Sequence, residues 1–347
     1  MSNIKDTYYP LNPQKNELPI YPQTLRYLSL SFPRTNFFLE QIFDKNSVFL
    51  TDSGTSALYI AIKNIISSTE DEVIIPSFCC ENVIDAVISN GVKPVFVDIN
   101  SNLTISLNDL EHKISSNTKC IILTHTYGFN EDTSIFLNIK KWGDIDIIDD
   151  LSQTSFLYGI DKISRPNVRA SIFSFGLTKP ISSIGGGGLV FSKKSDELIK
   201  SIPKEKFNNV FVDFKNYIKL YVLQKIQKYN FLKKEIKEQD KLNKITQNPS
   251  LVVPKKMNVF REMLLTSKIK KGNKIIRRNK ENYDYFCQEI INKNIKKISI
   301  FIRDKNTVPN YLTIILDKDI NRFEFSKYLS NKGIQTTWNY YPLHMQK

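Results

Sequence analysis

One lysine, Lys179, lies in a loop between two short apolar runs, 172–175 and 189–191, together with four consecutive glycines, Gly185 to Gly188. The pattern over 170–192 predicts a strand, a loop and a strand. A rigid sheet can hold such an amine beside a partly desolvated cleft, where the ammonium is disfavoured and the neutral amine becomes a Schiff-base candidate. A solvated lysine beside a glycine turn accounts equally well for this window alone. Two other clusters precede it. Asp52-Ser53-Gly54-Thr55-Ser56-Ala57-Leu58 follows an apolar run and opens a helix with small residues, so that N–H groups at Gly54 and Thr55 and the helix dipole favour a phosphate. An ordinary cap by Ser53 or Thr55 is the plainer explanation. Asp149 and Asp150 end another apolar run, just before Leu151-Ser152-Gln153. Two carboxylates there are costly unless paired, at work, or lifted into solvent by a loop.

The elements that carry these residues alternate. Short β-rich apolar runs at 48–51, 72–76, 94–99, 119–124 and 144–149 are separated by helix-length segments at 55–66, 81–90, 106–115 and 131–142. Such alternation predicts a mostly parallel sheet covered on both faces, with ligands bound beyond the carboxyl ends of its strands. All three chemical clusters follow strands. Residues 1–36 are polar and dotted with proline, as in a surface arm, and 207–241 is helix-length and unusually aromatic, with Phe207, Phe211, Phe214, Tyr217, Tyr221, Tyr229 and Phe231 among lysines. That stretch is expected to pack on a partner subunit, with a membrane surface as the other reading. From about Asn258 the pattern turns to helices up to 292, strands at 297–301 and 311–316, a helix at 322–332 and a strand at 335–338, a small α/β unit.

A hydrophobic content of 41% over 347 residues supports a substantial core, and no apolar run reaches the roughly 20 residues of a membrane-spanning helix. The first residues carry no apolar leader segment, which makes the cytoplasm the expected location. Cys79, Cys80, Cys120 and Cys287 fit no metal-ligand spacing and are expected to be reduced thiols. Lysine and arginine number 49 against 35 acidic residues, a formal charge of +14. Ten of the basic residues fall between Lys255 and Lys280, against one acid, Glu262. This basic face suits a solvated surface, an anionic membrane or a phosphorylated small substrate; no nucleic-acid-binding signature accompanies it.

The segments SGTSAL (53–58), EVIIPSF (72–78), PVFVDI (94–99), THTYG (124–128), IIDDLSQ (147–153), SFGLTKPISSIGGGG (174–188) and GIQTTWNYYPLH (333–344) form an ordered series. The series resembles the aspartate-aminotransferase-like (fold type I) pyridoxal-phosphate enzymes, and more narrowly the DegT/DnrJ/EryC1/StrS family of sugar aminotransferases, over roughly Phe49 to the C-terminus. The resemblance implies a large α/β domain with a mostly parallel, seven-stranded-type sheet at 37–254, including a helical insertion at about 203–254, and a smaller, short C-terminal α/β domain at 255–347. It implies that Lys179 holds pyridoxal 5'-phosphate as a Schiff base and moves the proton between substrate and cofactor carbons. Asp150 would pair with the pyridine nitrogen, keeping the ring able to accept electrons. Gln153 would lie beside the phenolic oxygen, and Gly54, Thr55 and Ser174 around the phosphate. Asp149 stands where a glutamate is commoner and is given no role.

The departures bear on the same site. Cys80 occupies the position of the aromatic residue that stacks on the cofactor ring in many relatives, and offers less area. The glycine of the segment that reaches a neighbouring subunit's phosphate is missing near Asn258, so that contact is left unassigned. His125 and His344 match family positions near substrate, His125 being equally suited to a structural place. Relatives continue beyond the final YPLH segment, so either the sequence is truncated or the C-terminal domain is short, and the substrate-side wall is left unassigned. By resemblance, the chain transfers an amino group, from glutamate, to a keto group of a nucleotide-linked sugar in surface-polysaccharide or amino-sugar biosynthesis, as a homodimer. Some relatives dehydrate the sugar, and in those a histidine replaces the lysine. An alternative of another class is a degenerate, non-catalytic basic binding protein.

Overall fold

The computed structural model describes residues 48–131, 145–154, 168–192, 209–229, 251–303, 307–332, 334, 336, 340, 342 and 343. The chain alternates β1 (Val48–Thr51), α1 (Gly54–Lys63), β2 (Glu72–Pro76), α2 (Glu81–Ser89), β3 (Lys93–Val97), α3 (Leu107–Lys113) and β4 (Thr118–Thr124). Three more strands follow: β5 (Asp146–Asp150), β6 (Val168–Ser174) and β7 (Gly187–Phe191). They form one seven-stranded sheet in the order β1-β7-β6-β5-β4-β2-β3. Pairing is parallel from β6 through β5, β4 and β2 to β3, whereas β7 runs antiparallel to both β6 and β1. The alternation in the sequence therefore did specify a mostly parallel sheet, with each expected strand found within about two residues.

Side-chain alternation explains why the sheet is covered on both faces. Along β4, Cys120 and Ile122 point to the layer of α1 and α2, which also holds Val73, Ile75, Ile148 and Ile172. Ile121 and Leu123 point the other way, to Ile74, Ile147 and Leu110 of α3. A third cluster joins Phe173, Phe175 and Val190 to Met257, Leu265 and Ile269. The period of two decides the fate of the adjacent carboxylates at the end of β5. Asp150 continues the face of Ile148, towards α1, and Asp149 continues the face of Ile147.

Beyond the sheet come α4 (Val210–Tyr229), α5 (Val259–Ile269), α6 (Gly272–Asn292), a two-stranded antiparallel sheet of β8 (Ile298–Ile300) and β9 (Ile314–Leu316), and α7 (Arg322–Asn331). The side chain of Asn258 caps α5 by accepting from the N–H of Arg261, and Asn321 caps α7 by accepting from Phe323 and Glu324. The expected arm at 1–36, helix at 131–142 and strand at 335–338 fall wholly or mostly outside the described residues, as does the second half of the aromatic segment at 207–241. Among the described residues no helix is long and apolar enough to cross a membrane. The four cysteines are free thiols.

Candidate active site

Parallel strands end on one edge, and so Pro76 of β2, Thr124 of β4, Asp150 of β5 and Ser174 of β6 all deliver the chain to the same rim. Helix α1 starts at that rim. Its cap, Ser53, accepts from the N–H of Ser56 at 3.1 Å, and its carbonyl accepts from the N–H of Ala57 at 3.1 Å. Helix geometry gives the N–H groups of Gly54 and Thr55 no partner within the helix. The space in front of them is shaped by what Gly54 lacks. A Cβ there would stand 2.9 Å from Ser174 Cβ, 3.2 Å from Ser174 Oγ and 3.4 Å from Ser152 Oγ. Two hydroxyls therefore converge on a helix N-terminus at a point where only glycine leaves room. Ser152 is a member of this cradle that the sequence reading passed over; its only signal was a hydroxyl two residues after Asp150.

The glycine run closes the cradle from behind. A Cβ on Gly187 would meet the carbonyl oxygen of Ser53 at 2.3 Å and the nitrogen of Gly54 at 2.7 Å, so β7 packs against the cradle backbone itself. Gly185 and Gly186 have φ of 145° and 126°, which fits the turn that carries the chain from Lys179 back into β7.

Asp150 is buried, and the N–H of Ser152 donates to its Oδ1 at 2.9 Å. Burial pushes its carboxyl above the usual range, while the Ser152 bonds and the positive charge of Lys179 pull it back. Cys80 stands just before α2, beside the same two groups. Burial raises its thiol, the charge on Lys179 lowers it, and that on Asp150 raises it. Lys179, Asp150 and Cys80 therefore lie within electrostatic reach of one another beyond the ends of three strands. Lys179 is half-buried, in a turn where its N–H donates to the carbonyl of Gly176 at 3.0 Å.

Gln153 is fixed by a backbone contact: the N–H of Tyr127 donates to its Oε1 at 3.1 Å. Its amide N–H₂ is thereby the end left to donate elsewhere. Tyr127 holds φ of 56°, uncommon for a residue with a large side chain, and Gly128 follows at 90°. The bond to Gln153 and one from the N–H of Asn310 to the Tyr127 carbonyl, at 2.8 Å, hold this turn. Asn310 also donates from Nδ2 to the carbonyl of Thr178 at 3.1 Å, next to the lysine. The segment around Val308 covers the turn so closely that a Cβ on Gly128 would lie 2.5 Å from the Val308 carbonyl.

Aromatic rings wall this side. Tyr127 and Tyr340 stack at 5.9 Å with an interplanar angle of 7°, and Phe78 meets both edge-on at 6.3 and 5.9 Å. Tyr340 is brought in by the last part of the chain, which is tied down where the N–H of Leu343 donates to the Ser77 carbonyl at 2.7 Å. The segments EVIIPSF, THTYG and GIQTTWNYYPLH contain these three rings, but nothing in their sequence showed that the rings meet.

His125 lies elsewhere. Its ring is fully enclosed, and Nε2 pairs with Asp149 Oδ1 at 2.6 Å. The ring is held in a buried pair with Asp149, on the other face of β5 from Asp150, which suits the structural place the sequence allowed for it. His344 falls outside the described residues. Asn258 spends both ends of its amide within the chain, on the cap of α5 and on Asp213 at 2.6 Å.

Residues 38–347 match the model of the DegT/DnrJ/EryC1/StrS aminotransferase family. The chain is 31% identical to the GDP-perosamine synthase of Escherichia coli O157:H7 over 144 residues, 41% of this chain and 40% of that one. It is 25% identical to the dTDP-4-amino-4,6-dideoxy-D-glucose transaminase of Shigella dysenteriae over 304 residues, 85% and 72% of the two chains. The chain spans about two fifths of the length of the first of these curated relatives. Among solved structures, NtdA from Bacillus subtilis with bound cofactor PMP superposes with a TM-score of 0.72 at 20% identity, over 100% of this chain and 76% of that one. PseC from Helicobacter pylori, an aminotransferase of pseudoaminic acid biosynthesis, gives 0.68 at 17%, over 96% and 83%. The shared fold is that of the fold type I pyridoxal-phosphate transferases.

Proposed function

Because the chain belongs to the DegT/DnrJ/EryC1/StrS aminotransferase family, we propose that it is a pyridoxal-phosphate-dependent aminotransferase. It passes an amino group from glutamate to a keto group of a nucleotide-linked sugar. The observation that carries this reading is Lys179 within electrostatic reach of buried Asp150, at the rim where two serine hydroxyls form a cradle at the start of α1. The donors fit the cofactor. Ser152, Ser174 and the N–H groups of Gly54 and Thr55 suit a phosphate, Asp150 suits a protonated ring nitrogen, and the Gln153 amide suits a phenolic oxygen. When bound, the ring supplies an electron sink for the carbon that loses its proton.

The remaining work belongs to the chain. Lys179 Nζ would take up and return the proton at the reacting carbon from its half-buried place in the loop between β6 and β7. Asp150, held by the N–H of Ser152 on Oδ1, would keep the ring nitrogen protonated. The Tyr127, Tyr340 and Phe78 wall excludes water and supplies the apolar area that Cys80 does not. Lysine at position 179, rather than histidine, supports transfer over sugar dehydration. The described sheets support a division into a large domain with the seven-stranded sheet and a small domain built on β8 and β9. We further assign the enzyme to the cytoplasm, as a homodimer.

The test is optical. Purified protein mixed with pyridoxal phosphate develops a visible absorbance band, and glutamate bleaches it. A band that glutamate leaves unchanged across pH refutes this donor, and the absence of any band favours the basic binding protein.

A further inference from the structure

We infer that Arg261 and Asp213 form a clamp that positions the phosphate cradle, an inference that rests on the cofactor reading above. Arg261 lies on α5. Its guanidinium has two faces at work. Nη1 donates to the carbonyl of Asp52 at 2.8 Å, in the residue that leads into Ser53 and Gly54. The same nitrogen lies over the glycine run, 2.8 Å from where a Cβ on Gly185 would be. The opposite side grips Asp213 in α4 through two parallel bonds, Nε to Oδ2 at 2.6 Å and Nη2 to Oδ1 at 2.7 Å. Asn258 adds a third bond to that carboxylate at 2.6 Å.

Both charged side chains are largely withdrawn from water, with 13% and 5% of their side-chain surface exposed. A forked pair of this kind fixes direction as well as distance, which lysine does not reproduce. The backbone of Arg261 is itself held, because Ser183 Oγ donates to its carbonyl at 3.2 Å. Asp52 is gripped from its other side by Lys255, whose carbonyl accepts from the Asp52 N–H at 2.9 Å. The entry to the cradle, the glycine run after Lys179 and helix α4 therefore meet at one guanidinium. Arg261 is a positioning residue. It sets where the N–H groups of Gly54 and Thr55 point, and Asp213 sets where Arg261 points.

The test compares two probes on Arg261→Lys: pyridoxal phosphate, and pyridoxal without the phosphate, by equilibrium dialysis. The clamp predicts that affinity for pyridoxal phosphate falls about tenfold, the equivalent of one charge-assisted hydrogen bond, while affinity for pyridoxal stays as in the unaltered protein. Asp213→Asn should show the same selective loss. Equal losses for both probes would make the role merely structural and overturn the inference, as would no loss for either. Failure of the unaltered protein to bind pyridoxal phosphate would instead refute the cofactor reading. If neither variant folds, hydrogen exchange on the unaltered protein decides. Inorganic phosphate should slow exchange in 210–220 as well as in 52–57, and protection confined to 52–57 overturns the coupling.

Discussion

A single missing methyl group defines the phosphate cradle. Gly54→Ala would place a Cβ 2.9 Å from Ser174 Cβ, closer than real Cβ contacts allow, and the cradle must open. Overpacking of this order costs about 1–3 kcal/mol, so affinity for pyridoxal phosphate should fall about tenfold or more, as measured by dialysis. Asp150 carries the opposite kind of tension. Its carboxyl is raised above the ordinary aspartate value of 3.8 because burial disfavours its charge. A raised acid stabilises the fold only below its unfolded pKa, and the charged form becomes a cost as pH rises past it. Asp150→Asn should therefore raise the melting temperature of the cofactor-free protein at pH 7, by about 1–3 °C, with the gain gone below pH 3.8. The same variant should lose transamination. A lower melting temperature at pH 7 would contradict the account of Asp150 as a strained, functional carboxylate.

At the scale of elements, helix α5 joins the core to the site. It packs Leu265 and Ile269 on the sheet and presents Arg261 to the cradle. It also carries Glu262, whose carboxyl burial pushes up to about 7. Below pH 4.5 this group is neutral whether the chain is folded or not; between there and about 7 the unfolded chain ionises first, and folding loses stability. Glu262→Gln should remove that loss, a gain of about 1 kcal/mol at pH 8 after allowing for its partial exposure, and none at pH 4. Chemical denaturation at the two pH values checks this.

The strands were legible in the sequence because apolar runs such as 72–76 and 119–124 follow polar turn residues at 67–71 and 115–118. Lys179, Asp150 and Gly54 were legible because strand ends locate them. Arg261 with Asp213, Tyr127 with Gln153, and Asn310 with Thr178 were not, since each pair joins segments far apart in the chain. The opposite fates of Asp149 and Asp150 follow from strand alternation, yet His125 escaped that logic because its partner had been given no role.

At the scale of the whole molecule, the last part of the chain returns to the first strands: Leu343 binds Ser77, and Tyr340 stacks on Tyr127. The site is therefore assembled from both ends of the family-matched region. Helix α4 leaves an apolar surface at Phe211, Val212 and Phe214, with relative exposures of 84%, 53% and 49%. Exposed area of this kind is expected at a subunit interface, so the protein should sediment as a dimer and Phe211→Asp should shift it towards monomer. A protein that sediments as a monomer at all concentrations would contradict the homodimer.

The central claim, that the amine of Lys179 takes the cofactor in the cleft of Asp150, is tested most directly by reduction and mapping. The protein is mixed with pyridoxal phosphate, treated with borohydride and digested, and the pyridoxyl mass is located by mass spectrometry. The account predicts that the label falls on the peptide containing Lys179 and disappears in Lys179→Ala. A label on another lysine, or none at all, would contradict it.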